Sequence, residues 1–320
     1  MSFSIIGTGS AVPQTVQTND DLAEFLDTSD EWIFSRTGIK SRHICVEETV
    51  LDLAIKASQK ALEDAKINVT DLDLIICPTL GGDTITPSLA CQVQEVLKAS
   101  CPCFDVNAAC SGFVYGLDIA DAYFSRNPNL KILIVAVDAM SKLVDWQDRA
   151  TAVLFGDGAG AAVLSAGHDL MSIQLTSTGN THALSIPWMK GNHPLKQVGL
   201  PLPYLKMDGA EVYRFAVSAI CSDLKAVAAM ADLNLSDLDL IIPHQANARI
   251  IEGAAKRLKL PLEKFAMQVS TVGNTSAASV PLVLDSLNRS GALKPGDLIG
   301  LTAFGGGLTT GACIIKWSKN

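Results

Sequence analysis

The chain has 320 residues, 48% hydrophobic and 18% charged, which is ample for a sizeable core and argues against disorder. Lys plus Arg is 25 against 33 for Asp plus Glu, a net charge of −8, so nucleic-acid binding would need a concentrated basic face and is not expected. The apolar runs are short and broken, residues 1–7 lack the basic start of a secretory signal, and the eight cysteines show no paired CxxC spacing, so no membrane span, disulfide framework or metal site is expected, and a cytoplasmic location is.

In chain order, Asn19 or Asp20 is predicted to cap a helix over 21–26, and Thr28 or Ser29 a second one running through Trp32. Residues 49–66 form a helix rich in Ala and Leu, and 70–78 read as a turn followed by an apolar strand. Cys103, Phe104 and Val106 read as a short buried strand. Beyond Cys110, Phe113, Leu117 and Ala120 recur at helical spacing, with Gly112 and Gly116 as close-packing points. Cys110 therefore sits at a helix N-terminus, where free N–H groups and the helix dipole favour a thiolate, and a lowered pKa is expected. Cysteine is also among the most buried and inert residue types, so position alone leaves a structural role open. Residues 132–137 and 159–164 read as further buried strands. Residues 179–207 hold Pro187, Pro194, Pro201 and Pro203 with Trp188, Met189 and His193 between them, show no period, and read as a lid loop.

The chain repeats itself. Asp71-Leu-Asp-Leu-Ile-Ile76 returns as Asp237-Leu-Asp-Leu-Ile-Ile242, 166 positions on, and Phe155-Gly156 before Gly160-Ala-Ala-Val-Leu164 is echoed by Phe304-Gly305 before Gly311-Ala-Cys-Ile-Ile315. Two landmarks in the same order indicate a tandem duplication, with halves at 1–170 and 171–320. Each half alternates strands with crossover helices, which implies two α/β halves with mainly parallel sheets covered by helices. Loops after matching strands should converge at the pseudo-twofold. One carries Cys110, one reads Pro243-His244-Gln245-Ala246-Asn247, and one, Gly273-Asn274-Thr275-Ser276-Ala277, follows an expected strand over 266–270. Asn274 lies 164 residues beyond Cys110 and is expected at about the nucleophile's place in the second half.

A cysteine with a histidine and an asparagine suits acyl-thioester chemistry. The sulfur can form a covalent acyl intermediate, while neutral His and the Asn amide donate to a developing enolate oxygen. Gly305-Gly306-Gly307 can present backbone N–H groups without side-chain obstruction. Taken singly, His244 reads as a satisfied core histidine before a catalytic one, and the position of Asn274 also fits a helix cap. Asn107-Ala-Ala-Cys110-Ser-Gly-Phe113, Pro243-His244-Gln-Ala-Asn247, Gly273-Asn274-Thr-Ser-Ala277 and Ala303-Phe-Gly-Gly-Gly307 together resemble the signature of the thiolase-fold condensing enzymes, most closely the β-ketoacyl-ACP synthase III family. The likeness extends to Thr28-Ser-Asp-Glu-Trp32-Ile-Phe-Ser-Arg36-Thr-Gly-Ile39 and Asp148-Arg149-Ala-Thr151, and runs over essentially the whole chain.

The resemblance implies a thiolase-like fold, with five-stranded sheets in a layered αβαβα arrangement, and a homodimer. It implies a ping-pong reaction in which an acyl-CoA primer loads Cys110 and malonyl-ACP is decarboxylated with help from His244 and Asn274, without metal or redox cofactor. It assigns Gly306 to the oxyanion site, Thr28, Trp32, Arg36, Arg149 and Asn247 to CoA, and Thr86 and Phe304 to the acyl pocket. Trp32 and Arg149 would flank the adenine, which suits an indole and a guanidinium. Without the resemblance Trp32 reads equally as a core anchor and Arg149 as a solvated charge. Short-chain members place Phe where this chain has Thr86, so a primer longer than acetyl is expected. Arg214, Arg249, Lys256 and Arg257 would dock an acidic acyl carrier protein on a locally basic helix, a face that reads equally as simply solvated. Rival readings are an acyltransferase of specialised metabolism, which retention of both His244 and Asn274 disfavours, and a non-catalytic carrier-docking subunit, which the presence of Cys110 disfavours. Gly156-Asp-Gly-Ala-Gly160 lacks the Lys of a P-loop and precedes a strand, so it reads as tight turns.

Overall fold

The computed structural model describes residues 2–187 and 204–319. After β1 (Ser2–Ala11), the short strand β2 (Val16–Thr18) leads into helices α1 (Asn19–Ala23) and α2 (Asp30–Thr37), and β3 (Ser41–His43) returns to pair with β2. Thr18 and Ser29 cap the helices by accepting backbone N–H groups. The first cap is thus Thr18, not Asn19 or Asp20, because the Asn19 amide is buried and donates to Asp30 and to the Ile39 carbonyl. The half continues through α3 (Val50–Ala65), β4 (Leu74–Pro78), α4 (Leu89–Leu97), β5 (Cys103–Val106), α5 (Gly112–Arg126), β6 (Lys131–Ala139), α6 (Arg149–Ala152) and β7 (Asp157–Gly167). Its sheet has the order β1-β7-β6-β4-β5, with β7 antiparallel to both neighbours and the other four strands running one way.

The second half follows the same plan: β8 (Leu170–Asn180), β9 (Leu184–Ser185), β10 (Lys206–Met207), α7 (Gly209–Met230), β11 (Leu240–Pro243), α8 (Ala248–Leu258), α9 (Val269–Val272), α10 (Ser279–Arg289), β12 (Leu298–Gly305) and β13 (Gly307–Lys316). Its main sheet, β11-β12-β13-β8, has four strands rather than the expected five, with β13 opposed to the rest. The strand expected over 266–270 is reduced to a single parallel bridge between Ile241 and Phe265. The buried Gln245 side chain explains this. Its amide donates to the Pro243 and Ala266 carbonyls and its oxygen accepts Gln268 and Val269 N–H, so a side chain takes the bonds of a ladder and the chain turns into α9. The expected lid also begins in regular structure, since β8 continues to Asn180 and β9 pairs with β10. The rest of that loop, with Trp188, Met189, His193, Pro194, Pro201 and Pro203, lies outside the described residues.

Side-chain alternation builds the layers. Leu74, Ile76, Ile132 and Ile134 of the first sheet, with Ile242, Ile299 and Leu301 of the second, pack on α5 and α10 in a central helical layer. The alternate residues Ile75, Cys77, Leu133 and Val135 face α3 and α4, and Ile241 and Ile314 face α7 and α8. The repeated sequence makes repeated bonds. Asn68 with Asp71, and Asn234 with Asp237, form the same cap, while Asp73 accepts Lys131 N–H and Asp239 accepts Leu298 N–H, each at 2.8 Å. Among the described residues no helix is long and apolar enough to cross a membrane.

Candidate active site

Cys110 lies in a 3-10 turn, Ala109–Ser111, between β5 and the start of α5. The turn is gripped from the second sheet: Thr309 donates to the Ala108 carbonyl at 2.9 Å and Ser111 donates to the Thr309 carbonyl at 3.2 Å. Gly305 runs so close beneath that a Cβ there would sit 2.6 Å from the Cys110 nitrogen. Gly305→Ala is expected to displace this turn and cost about 1–3 kcal/mol, as backbone packed on backbone cannot yield. Thermal melting together with the rate of Cys110 acylation checks it, and an unchanged melting temperature would contradict the packing argument.

The Cys110 thiol is buried, and burial pushes it up to about 12; the Ser276 hydroxyl, 3.4 Å from Sγ, and its own backbone N–H oppose this only in part. The expected lowering is therefore overturned, because desolvation outweighs the helix end. His244, at the end of β11, is also buried, and burial alone takes it down to about 3, so it is a neutral imidazole. Its Nδ1 lies 2.6 Å from Ser279 Oγ, which also receives the Gln245 N–H, and its ring meets Phe304 edge-on at 5.1 Å.

The duplication places Asn274 differently from expectation. The turns Ala109–Ser111 and Ser276–Ala278 match, and Asn107 and Asn274 each accept, through Oδ1, the N–H of the residue two positions on. Asn274 is thus the counterpart of Asn107, and the counterpart of Cys110 is Ala277. With Oδ1 engaged by Ser276 N–H at 2.9 Å, the Asn274 amide nitrogen is the end left to act as a donor. Its backbone is bonded to Leu154 and Gly156, which fixes the loop of the second half on the first.

Cys110, His244, Asn274, Phe304 and Gly306 line one cavity of about 1040 Å³. Leu80, Met140, Leu143, Leu184, Leu205 and Met207 give it an apolar wall, and Trp32, Arg36, Asn247, Arg214 and Arg249 are also among its lining residues. Arg36 and Arg149 both lie over the Trp32 indole, at 4.6 and 4.8 Å from its centroid. Arg149 thus occupies the space over the ring, and a purine stacked between the two would have to lift it by about 3.5 Å. Asn247 caps α8 through Arg249 N–H and donates to the Arg36 carbonyl, so its amide ties α8 to α2. Thr28 does not line the cavity, and its buried hydroxyl has no partner among the described residues. Thr86 is exposed and likewise outside this chain's cavity, where its neighbour Ile85 is found instead. Lys256 and Arg257 are exposed in the last turn of α8, beyond the lining residues. Sequence reasoning passed over Ser276, Ser279, Gln245 and Asp138. The one available signal was Asp138 itself, a lone carboxylate at the end of an apolar strand.

Two α/β halves stacked in five layers, with cysteine, histidine and asparagine loops meeting in one cavity, define a thiolase-fold protein. Family models described as 3-oxoacyl-[acyl-carrier-protein] synthase III match residues 104–179, and its C-terminal part residues 228–317. The chain is 45% identical over 323 residues to β-ketoacyl-[acyl-carrier-protein] synthase III of Clostridium acetobutylicum, covering 99% of each, and 44% identical over 324 residues to that of Alkalilimnicola ehrlichii, covering 99% and 100%. The crystal structure of 3-oxoacyl-[acyl-carrier-protein] synthase III from Aquifex aeolicus superimposes with a TM-score of 0.92 at 41% identity, over 98% of this chain and 100% of that one. The chain belongs to the β-ketoacyl-ACP synthase III family.

Proposed function

We propose that this protein carries out the decarboxylative condensation of an acyl-CoA primer with malonyl-ACP, giving a β-ketoacyl-ACP, CoA and carbon dioxide, the step that initiates fatty acid synthesis. The observation that carries the reading is the single cavity shared by Cys110, a neutral His244 and Asn274 with its oxygen engaged. Cys110 attacks the thioester carbonyl, with backbone N–H groups of Cys110 and Gly306 for the oxyanion, and CoA departs. Malonyl-ACP then loses carbon dioxide, and its enolate oxygen is held by donors from His244 and Asn274. With Gln245 N–H already on Ser279 Oγ, the Ser279 proton goes to Nδ1, which leaves Nε2–H for the enolate. The enolate attacks the acyl-Cys110 carbonyl. No step uses a metal or redox cofactor.

Trp32, Arg36 and Arg149 hold CoA at the mouth, with Thr28 and Asn247 nearby, and Arg214, Arg249, Lys256 and Arg257 receive the acidic carrier protein. The location is the cytoplasm, and the halves divide near residue 170. A homodimer is supported by β5, a sheet edge whose Cys103, Phe104, Asp105 and Val106 are only half-buried. Thr86, turned out of its own cavity, reaches the partner's acyl tunnel, where a small side chain leaves room for a longer primer. Thr86→Phe is expected to reduce loading of medium-chain acyl-CoA relative to acetyl-CoA by roughly tenfold; an unchanged chain-length profile would remove Thr86 from the tunnel. The reading as a whole is tested by intact-protein mass spectrometry with a panel of acyl-CoAs and then malonyl-ACP. An adduct that malonyl-ACP discharges with release of carbon dioxide is expected. An adduct that ignores malonyl-ACP would point instead to simple acyl transfer.

A further inference from the structure

The two halves build the same turn, and the difference between the copies isolates one hydroxyl. In Ala109–Ser111 and in Ser276–Ala278 the first N–H is held by the Oδ1 of an asparagine two positions earlier. That first residue has positive φ in both copies, 49° at Ala109 and 52° at Ser276, a region that side-chain-bearing residues rarely adopt. Ala109 shows that a methyl group satisfies the turn. The backbone therefore does not require the hydroxyl of Ser276. That hydroxyl is buried, and its Oγ lies 3.4 Å from Cys110 Sγ, within hydrogen-bonding range for sulfur. Among the described residues no other side chain is hydrogen-bonded to this sulfur.

We infer that the Ser276 hydroxyl is a further catalytic group of this site, accepting from the Cys110 thiol at rest and donating to the thiolate that attacks the substrate. The inference deepens the proposed reaction and rests on Cys110 being its nucleophile.

A hydroxyl is both donor and acceptor, so rotation about Cβ–Oγ lets one contact serve thiol and thiolate alike. A hydrogen bond to an ionised acceptor is about twice as strong as one between neutral groups. The contact therefore strengthens as Sγ gains charge and weakens once the sulfur joins a neutral thioester. It favours the attacking state over the resting thiol and the acyl-enzyme, and it favours departure of Cys110 when the enolate attacks. The local charges leave this task to a neutral donor. Burial pushes Cys110 up to about 12 and Asp138 adds to the rise, while the Ser276 bond is the strongest influence against it. His244, lowered to about 3 by burial, carries no positive charge to pair with the sulfur. The Ser276 N–H bond to Asn274 Oδ1, at 2.9 Å, anchors the turn that presents Oγ.

The test is alkylation of Cys110 by iodoacetamide, a thiolate-selective reagent, at about pH 8 in the full-length enzyme, followed by peptide mass. The parent is compared with Ser276→Ala and Ser276→Gly. Both variants lack the hydroxyl but act differently on the backbone. Ala keeps a strain that Ala109 shows to be tolerated, whereas Gly relieves it and so keeps the test open if the Ala variant does not fold. Each is expected to slow alkylation by about tenfold, the loss of one hydrogen bond to a charged group. Acyl-CoA loading should slow by the same factor with an unchanged KM, because the hydroxyl touches the sulfur and not the substrate. Parent-like alkylation in either folded variant would overturn the inference, since the effect would then follow the backbone or nothing. A raised KM with an unchanged loading rate would overturn it too, as a sign of a reshaped cavity. Because iodoacetamide needs no acyl-CoA site, hydroxyl-dependent alkylation in an enzyme that forms no acyl adduct would count against the acyl-transfer reading and not against Ser276.

Discussion

Cys110→Ala is expected to form no adduct with any acyl-CoA, and to lower condensation by about 10⁴-fold or more, as removal of a covalent nucleophile does elsewhere. The duplicated half supplies no substitute, since Ala277 stands where a second nucleophile would. Of the other cysteines, Cys77 and Cys313 are buried in the packed layers and held protonated by burial. Loss of one buried sulfur atom costs little packing, about 1 kcal/mol, so the variant should melt near the parent and the effect is readable as chemistry. Intact mass after acyl-CoA incubation decides it. An adduct persisting in Cys110→Ala would assign the acyl group to another residue and dissolve the proposed site.

His244→Ala separates the two half-reactions. Cys110 should still load, but the acyl-enzyme should accumulate in the presence of malonyl-ACP, with condensation down by about 10²–10³-fold for one lost enolate donor. Because burial takes His244 from 6.5 to about 3, malonyl-ACP decarboxylation in the parent should show no acid limb near the ordinary imidazole value. The same shift links to stability. Between about pH 6.5 and 3 the unfolded chain binds a proton at His244 that the fold refuses, so the fold loses stability as pH falls through that window. Melting temperature should fall less steeply with acidification in His244→Ala than in the parent. Asp138, shifted the opposite way, is common to both proteins and cancels in the comparison. Equal slopes would mean that His244 is not held neutral, and an acyl-enzyme that malonyl-ACP still discharges at the parent rate would remove His244 from the condensation.

Much of the architecture was legible because it is written in local pattern. The copied Asp-Leu-Asp-Leu-Ile-Ile segments announce two matching halves, and each copy makes the same cap and the same strand bond. The position of Cys110 at a helix start and of His244 behind a strand follows from hydrophobic period alone. The offset of Asn274 did not, because a count of 164 residues cannot distinguish Cys110 from Asn107 as its counterpart. Only the matching turns and the shared Oδ1 bond do so.

The amino-acid sequence by itself determined the duplication, the strand-to-helix turns and the residue types that meet at the pseudo-twofold. Those are properties of segments a dozen residues long, where side-chain period and turn chemistry dominate. Tertiary structure alone decided the protonation states of Cys110 and His244, the seat of Arg149 on Trp32, the replacement of a fifth strand by the Gln245 side chain, and the meeting of Cys110 with Ser276. Each of these depends on which groups distant parts of the chain shield from water and leave without a partner. Desolvation and hydrogen-bond satisfaction belong to the packed whole, and no window of sequence contains them.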